Sequence, residues 1–189
     1  MVVCCAICNR EDEKLLKKVN PKDSKKLSPK QREETYEKLK KFIKFRWVEI
    51  SAEDLNKLMK EMSLNDIEAN AMADLIKDKD GDIMIDMPDR YSWTFRNRMA
   101  RFGVTKFEAE HKADEHYPIV AAASICAKIV RDKKIQEIQK ATCDFGSGYP
   151  SDVKTIDALK DKEKMKQLAP FIRKRWKTID DLKQTKLFE

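Results

Sequence analysis

His111–Asp132 reads HKADEHYPIVAAASICAKIVRD, and this stretch contributes most to the fold prediction. One acid, Asp114, precedes the step Tyr117-Pro118, and proline is favoured at the first position of a helix. The helix-length run of small apolar residues that follows carries Lys128 and Arg131. A side chain able to hold a metal thus precedes a helix able to contact phosphates. That combination predicts nuclease chemistry.

Composition limits the class of protein. The 189 residues are enough for one sizeable core, and 41% hydrophobic with 39% charged residues is typical of a globular chain with a charged surface. No apolar run has the length of a membrane span, and no signal-peptide pattern opens the chain. A net charge of +7 and a pI of about 9.0 suit a polyanionic partner such as nucleic acid, although a merely solvated surface would give the same balance.

The cysteines favour a reducing cytoplasm. Five is an odd number, and their spacing is irregular, which argues against a disulfide framework. Cys5 and Cys8 have C-x-x-C spacing but lie at an apolar stretch, with no second pair at zinc-like spacing. Strand cysteines are therefore the default interpretation, and a zinc site is the alternative.

Predicted strands alternate with predicted helices along most of the chain. Apolar runs predict strands over 1–7, 46–50, 83–87 and 104–109. Helical patterns predict helices over 66–78 and 91–102, and others start at Ser28-Pro29, at Ser51 and at Pro118. This alternation predicts an α/β domain over residues 1–152. Residues 153–189 are strongly charged and predict a helical C-terminal extension.

Two acids are the candidates for catalysis and metal binding. Asp86 ends an apolar strand, where open α/β sheets place their sites, and Asp114 follows a strand and precedes a helix. Carboxylates from separate strand ends can converge on one hard cation such as Mg²⁺ or Mn²⁺. The alternative for Asp86 is a turn aspartate that faces water.

Several other residues are candidates for substrate binding. Ser124, Lys128 and Arg131 share one helix stripe that can contact successive phosphates. The segment 23–26, which contains Ser24 and Lys25, precedes a capped helix and can also hold phosphate. Tyr149, in a loop with Gly146 and Gly148, can stack on a sugar or base. Ordinary solvated helix faces and a packed turn tyrosine are the alternatives.

Taken in order, these segments closely resemble ribonuclease HII, its archaeal members in particular. The matching segments span nearly the whole chain: DSKKLSP at 23–29, LNDIEA at 64–69, the Asp86 strand, His111–Asp132, 144–152 and RWKT at 175–178. The resemblance implies an RNase H-like fold, with a mixed sheet flanked by helices and a C-terminal helical extension. It also implies hydrolysis of the RNA strand of RNA/DNA hybrids and of single ribonucleotides embedded in DNA.

The resemblance assigns roles to individual residues. Four acids hold two divalent metals in that family, and Asp86 and Asp114 match two of them. Ser24, Lys25, Asn65, Lys128 and Arg131 match residues along the substrate backbone. Tyr149 matches the residue at the ribonucleotide–deoxyribonucleotide junction. The expected product carries a 5′-phosphate, through a two-metal mechanism.

The chain departs from the family pattern at one place. The family opens with a strand that carries Asp-Glu-Ala-Gly-Arg-Gly, and this sequence has no such motif; Met1-Val2-Val3 matches the strand that comes next. Two of the four acids are then absent, and we expect the chain as given to cleave poorly. A missed upstream start and a real truncation both explain the pattern.

Two further interpretations remain open. The chain can be a binding module that holds RNA/DNA hybrids without cutting them. The segment Gln184–Phe188, QTKLF, resembles the start of a sliding-clamp-binding box, and its alternative is a frayed helix end. From the family we expect a monomer.

Overall fold

The computed structural model describes residues 1–21 and 27–185. The chain divides into two compact units. The sheet unit comprises Val2–Glu49 and Ser63–Val130, and the helical unit comprises Met1, Ile50–Met62 and Arg131–Glu189.

The described strands are β1 (Val2–Cys8), β2 (Ile43–Glu49), β3 (Met84–Asp86) and β4 (Glu108–Glu110). The described α-helices are α1 (Glu13–Val19), α2 (Pro29–Leu39), α3 (Ala52–Leu58), α4 (Leu64–Ile76), α5 (Ser92–Arg101), α6 (Ala113–His116), α7 (Pro118–Ala141), α8 (Val153–Lys160), α9 (Lys162–Leu168) and α10 (Lys177–Thr185). None of the described helices is long and apolar enough to cross a membrane.

Two strand pairs form in the sheet unit. β1 and β2 are antiparallel, with Val2 opposite Glu49 and Cys8 opposite Ile43. A buried cluster lies against this pair and combines helix and strand residues: Leu16, Leu39, Ile43, Ala122, Ile125 and Ile129. Ala6 and Cys8 of β1 pack against this cluster, which explains why the first strand is an apolar run in the sequence.

β3 and β4 form a parallel pair, with Met84 opposite Glu108 and Asp86 opposite Glu110. Parallel neighbours need a crossover connection, and α5 provides it. Phe95 and Met99 of α5 are fully buried, so the helix is fixed against the core by these two side chains.

Serine caps set the starts of three helices. Ser28 and Ser63 each form a capping box, with Gln31 and Asp66 respectively. Ser51 accepts a hydrogen bond from the Asp54 amide. The structure confirms the predicted caps at Ser28 and Ser51. The helix predicted over 66–78 begins earlier, at Leu64, because Ser63 satisfies its first amides.

The helical unit has its own small core, made of Phe145, Ala158 and Leu168. The Asn56 amide of α3 crosslinks distant segments within this unit. It donates to the Ile172 carbonyl at 2.9 Å and accepts from the Lys174 amide at 2.8 Å. This side chain thus fixes the segment that precedes α10.

Two sequence predictions differ from the structure near the candidate acids. The strand predicted over 104–109 is shorter in the structure, where only Glu108–Glu110 form β4, because β3 has only three residues for it to pair with. Val104 and Phe107 are buried, yet they lie outside the ladder. Asp114, predicted to lie between a strand and the helix that begins at Pro118, lies in a short helix of its own, α6.

Candidate active site

Asp86 lies at the carboxyl end of β3, as its position in the sequence predicts. Its Oδ1 atom accepts a hydrogen bond from the backbone amide of Ala113 at 3.1 Å. Ala113 is the first residue of α6, so the carboxylate is held at the start of the helix that carries Asp114. The hydrogen bond connects two segments that are 27 residues apart in the chain.

Asp114 is 4% exposed and lies in the first turn of α6. The chain reaches this helix from β4 through Lys112, which has a left-handed backbone with a φ of 57°. This sharp reversal brings the residue after Ala113 back toward the end of β3. Asp114 thus directly follows Ala113, the residue whose backbone amide contacts Asp86.

Glu110 lies opposite Asp86 in the β3–β4 ladder. Its carboxylate accepts from the Tyr117 hydroxyl at 2.9 Å and lies 2.6 Å from His116 Nδ1. The hydrogen bond from Tyr117 and, next, that from His116 lower the pKa of Glu110. The side chain is therefore engaged with the segment that leads into α7.

Glu68 of α4 is an acid that the sequence analysis did not single out. Burial raises its pKa, and the negative charges of Asp89 and Asp86 raise it further. The carboxyl group of Glu68 thus feels the charges of both acids, and that of Asp89 more than that of Asp86. In the sequence, Glu68 could have been noticed as an acid between two apolar residues, Ile67 and Ala69, which are both buried in the structure.

A polar network fixes the loop that follows Asp86. Asp89 is 5% exposed, and Arg98 donates from Nε to its Oδ2 at 2.9 Å. Asn65 donates from Nδ2 to Asp89 Oδ1 at 2.7 Å. Arg98 also pairs with Asp66, which caps α4 with Ser63. The network thereby joins the start of α4, the loop after β3 and helix α5.

An open cavity of about 1040 Å³ lies between β1 and β3. Its walls include all of β1, the segment 83–88, and side chains of α4 and α7, among them Glu68, Met72 and Ser124. Within residues 1–21 and 27–185, β1 pairs only with β2, and β3 pairs only with β4. Among the described residues, β1 and β3 therefore each have one edge without a strand partner, and both strands line this cavity.

Tyr149 and Arg131 contact each other in the helical unit. The Arg131 guanidinium carbon lies 3.9 Å from the centre of the Tyr149 ring, and Arg131 also donates to the Ser147 carbonyl at 2.6 Å. Gly148 has a φ of 74°, and a Cβ atom there would lie 3.1 Å from the guanidinium. The glycine is thus required by both the backbone and the close approach of Arg131.

The remaining predicted residues lie in different surroundings. Asn65 is joined to Asp89 in the sheet unit, and Lys128 lies half-buried on α7 in the same unit. Arg131 and Tyr149 lie in the helical unit. Ser24 and Lys25 lie outside the described residues, as does the end of the segment Gln184–Phe188. Among the described His, Cys, Asp and Glu side chains, no three are arranged to hold one ion.

Comparison with known proteins defines the class of this fold. One similar solved structure is a complex of a sliding clamp, PCNA, with RNase HII from Archaeoglobus fulgidus. The match covers 97% of this chain and 89% of the matched chain, with a TM-score of 0.86 and 37% sequence identity. The ribonuclease H2 structure from Pyrococcus horikoshii OT3 matches 98% of each chain with a TM-score of 0.80 at 28% identity. The chain therefore has the RNase H fold of an α/β nuclease.

The sequence comparisons define the family within that class. The family model for Ribonuclease HII matches residues 1–179. The Ribonuclease HII of Methanocaldococcus jannaschii is 40% identical over 214 aligned positions, which cover 99% of this chain and 91% of the relative. The chain belongs to the ribonuclease HII family, hydrolases that cut the RNA strand of RNA/DNA hybrids endonucleolytically.

The network around Asp66 predicts a pH dependence of stability. Hydrogen bonds from Ser63 and the charges of Arg98 and Arg101 lower the pKa of Asp66 from 3.8 to about 2. A lowered pKa of an acid stabilises the folded state above the unfolded pKa, and this contribution is lost as the pH falls from 3.8 toward 2. We expect Asp66→Asn to unfold more easily at pH 7 by roughly 1–2 kcal/mol, with the difference vanishing near pH 2.

The measurement is urea unfolding of both proteins between pH 2 and pH 7. Asp157→Asn is the matched control, because Asp157 is an exposed acid on α8. A difference between Asp66→Asn and the unchanged protein that stays constant over the whole pH range would rule out an ionic role for Asp66.

Proposed function

We propose that the protein is a metal-dependent endonuclease that also cuts at single ribonucleotides embedded in duplex DNA and leaves 5′-phosphate products. The observation that carries this proposal is the hydrogen bond from the Ala113 amide to Asp86 at the end of β3. It holds Asp86 beside the helix that carries Asp114, in the arrangement expected for two acids that share a metal site.

Asp86 and Asp114 would hold a divalent ion, and their oxygen atoms suit Mg²⁺ or Mn²⁺. The raised pKa of Glu68 supports this assignment, because it reflects a partly buried group of acids that a cation would neutralise. When bound, divalent ions supply the Lewis acidity that phosphodiester hydrolysis requires. The part of the protein is to orient the two carboxylates, through the Ala113 amide for Asp86 and through the first turn of α6 for Asp114.

We propose that the other predicted residues position the nucleic acid. Lys128 would contact the backbone phosphates from α7, together with Ser24 and Lys25. Asn65 would act through Asp89, which it holds in the loop after Asp86. Tyr149 would contact the sugar at the scissile junction, and the stacked Arg131 supports this role because it restrains the ring.

We further propose that full activity requires an extended strand between β1 and β3. The cavity between these strands supports this, since a strand placed there would satisfy the backbone groups at both edges. The family resemblance assigns to such a strand an Asp-Glu pair that would complete the set of acids at Asp86.

Supplying that strand should restore activity. We expect this chain to cut a DNA duplex with one embedded ribonucleotide poorly. An extended form, with a strand that carries Asp-Glu-Ala-Gly-Arg-Gly before Met1, should cut it at least about 100-fold faster. The assay is gel electrophoresis of the labelled duplex with Mg²⁺ or Mn²⁺.

An extended form with Asn-Gln in place of Asp-Glu separates packing from chemistry. It should raise the unfolding midpoint as the Asp-Glu form does, and it should cut no better than the unextended chain. Equal cleavage by the unextended chain and the Asp-Glu form would contradict the proposed set of acids.

The two acids of this chain should be essential in the extended form. We expect Asp86→Asn and Asp114→Asn each to lower the cleavage rate by at least about 100-fold, because each removes a charged ligand. Asp157→Asn, on the exposed face of α8, should cut normally. If neither variant slows cleavage, the metal site lies elsewhere.

The alternative is a module that binds hybrids without cutting them. Its support is the net charge of +7, which suits nucleic acid, and the match of only two residues, Asp86 and Asp114, to the four metal-binding acids of the family. Binding of a hybrid by both the extended and the unextended forms, with no cleavage by either, would establish this alternative. The odd number of cysteines supports a cytoplasmic location for either function.

We propose a sliding clamp as a protein partner, as in the Archaeoglobus fulgidus complex. The segment Gln184–Phe188 would supply the contact. We expect immobilised clamp from the same source to retain the protein, and deletion of residues 184–189 to abolish retention while leaving the unfolding midpoint unchanged. Equal retention of the deleted form would place the contact outside this segment.

A further inference from the structure

Two stacked aromatic side chains lie at the start of α5. The ring centres of Tyr91 and Trp93 are 6.4 Å apart, and their planes differ by 19°. The two residues are 51% and 67% exposed. We call this pair the aromatic platform.

The backbone of the platform is firmly held. The Tyr91 carbonyl accepts from the Phe95 amide at 3.2 Å, and the Phe95 side chain is fully buried. The His111 Nε2 atom lies 3.3 Å from the Arg90 carbonyl, which can only accept a hydrogen bond. The two rings are therefore presented to solvent from a fixed turn, and their exposure is a property of the packed fold.

A cation lies beside the rings. The Arg90 guanidinium carbon is 5.3 Å from the centre of the Tyr91 ring. The segment 90–101 contains four arginines and no acid, and the other three make ion pairs with Glu108, Asp89 and Asp66. The ion pairs identified among the described residues do not involve Arg90. The guanidinium and the two rings therefore form one exposed surface of positive charge and π faces.

We propose that the aromatic platform binds an unpaired nucleobase of single-stranded nucleic acid by stacking, with Arg90 taking the adjoining phosphate. Flat rings bind bases of any sequence, because every base has a π face. Arginine beside the rings adds attraction to the phosphate, which an apolar protein partner would not use. A duplex interior hides its base faces, so the expected ligand is a single strand or an overhang.

The aromatic platform and Arg90 share no residue with the predicted metal ligands. The platform begins five residues after Asp86, and the buried Asp89 lies between them in the chain. The proposal holds whether or not the chain cuts RNA.

The test measures binding of a fluorescein-labelled single-stranded dT12 by anisotropy, in EDTA and at low salt. The probe contains no ribose, and without metal no cleavage takes place, so the result is independent of nuclease activity. We expect Trp93→Ala to weaken binding about 5- to 10-fold and Trp93→Phe to weaken it less, because the smaller ring still stacks. Arg90→Ala should weaken binding and reduce its salt dependence.

Two controls make the test specific. Trp47→Ala removes another tryptophan of the sheet unit, one that is 43% exposed on β2, and should leave binding unchanged. An abasic oligonucleotide of the same length keeps the phosphates and should bind the unchanged protein and Trp93→Ala equally.

Circular dichroism of each variant verifies folding. Unchanged dT12 binding by Trp93→Ala, or equal binding of dT12 and the abasic strand by the unchanged protein, would overturn the proposal. Failure of the unchanged protein to bind dT12 would overturn it as well.

Discussion

The parallel pairing of β3 with β4 is the constraint on which the candidate active site depends. It places Asp86 opposite Glu110, and the chain then needs only Lys112 to reverse its direction before α6. A parallel pair requires a crossover, and the buried side chains of α5 make that crossover part of the core. A shift of one residue in this short ladder would move Asp86 to the opposite face and separate it from the Ala113 amide.

The charges near this ladder are balanced by specific partners. Asp89 is nearly buried, which is costly for a carboxylate, and Arg98 and Asn65 offset that cost with directed hydrogen bonds. Glu68 differs, because burial and its acidic neighbours raise its pKa. The fold thus gives Asp89 charged and polar partners, whereas the carboxyl group of Glu68 is partly buried and feels the negative charges of Asp89 and Asp86.

Sequence reasoning was most reliable where a local pattern determines the outcome. The caps at Ser28 and Ser51, the strand that ends at Asp86 and the helix that begins at Pro118 follow from the neighbouring residues alone, and the structure confirms them. Contacts between distant residues were not predictable in this way. The bond from Asn65 to Asp89 spans 24 residues, and nothing within either segment specifies it.

The cavity between β1 and β3 couples stability to chemistry. Unpaired strand edges are unfavourable for a sheet, and Glu68 and Asp86 line the same open cavity. A strand that joined the two pairs would bury apolar surface of β1 and α4 and would also bring further groups toward Asp86. A loss of folding and a loss of activity would therefore have a common cause, and unfolding measurements together with cleavage assays are needed to tell them apart.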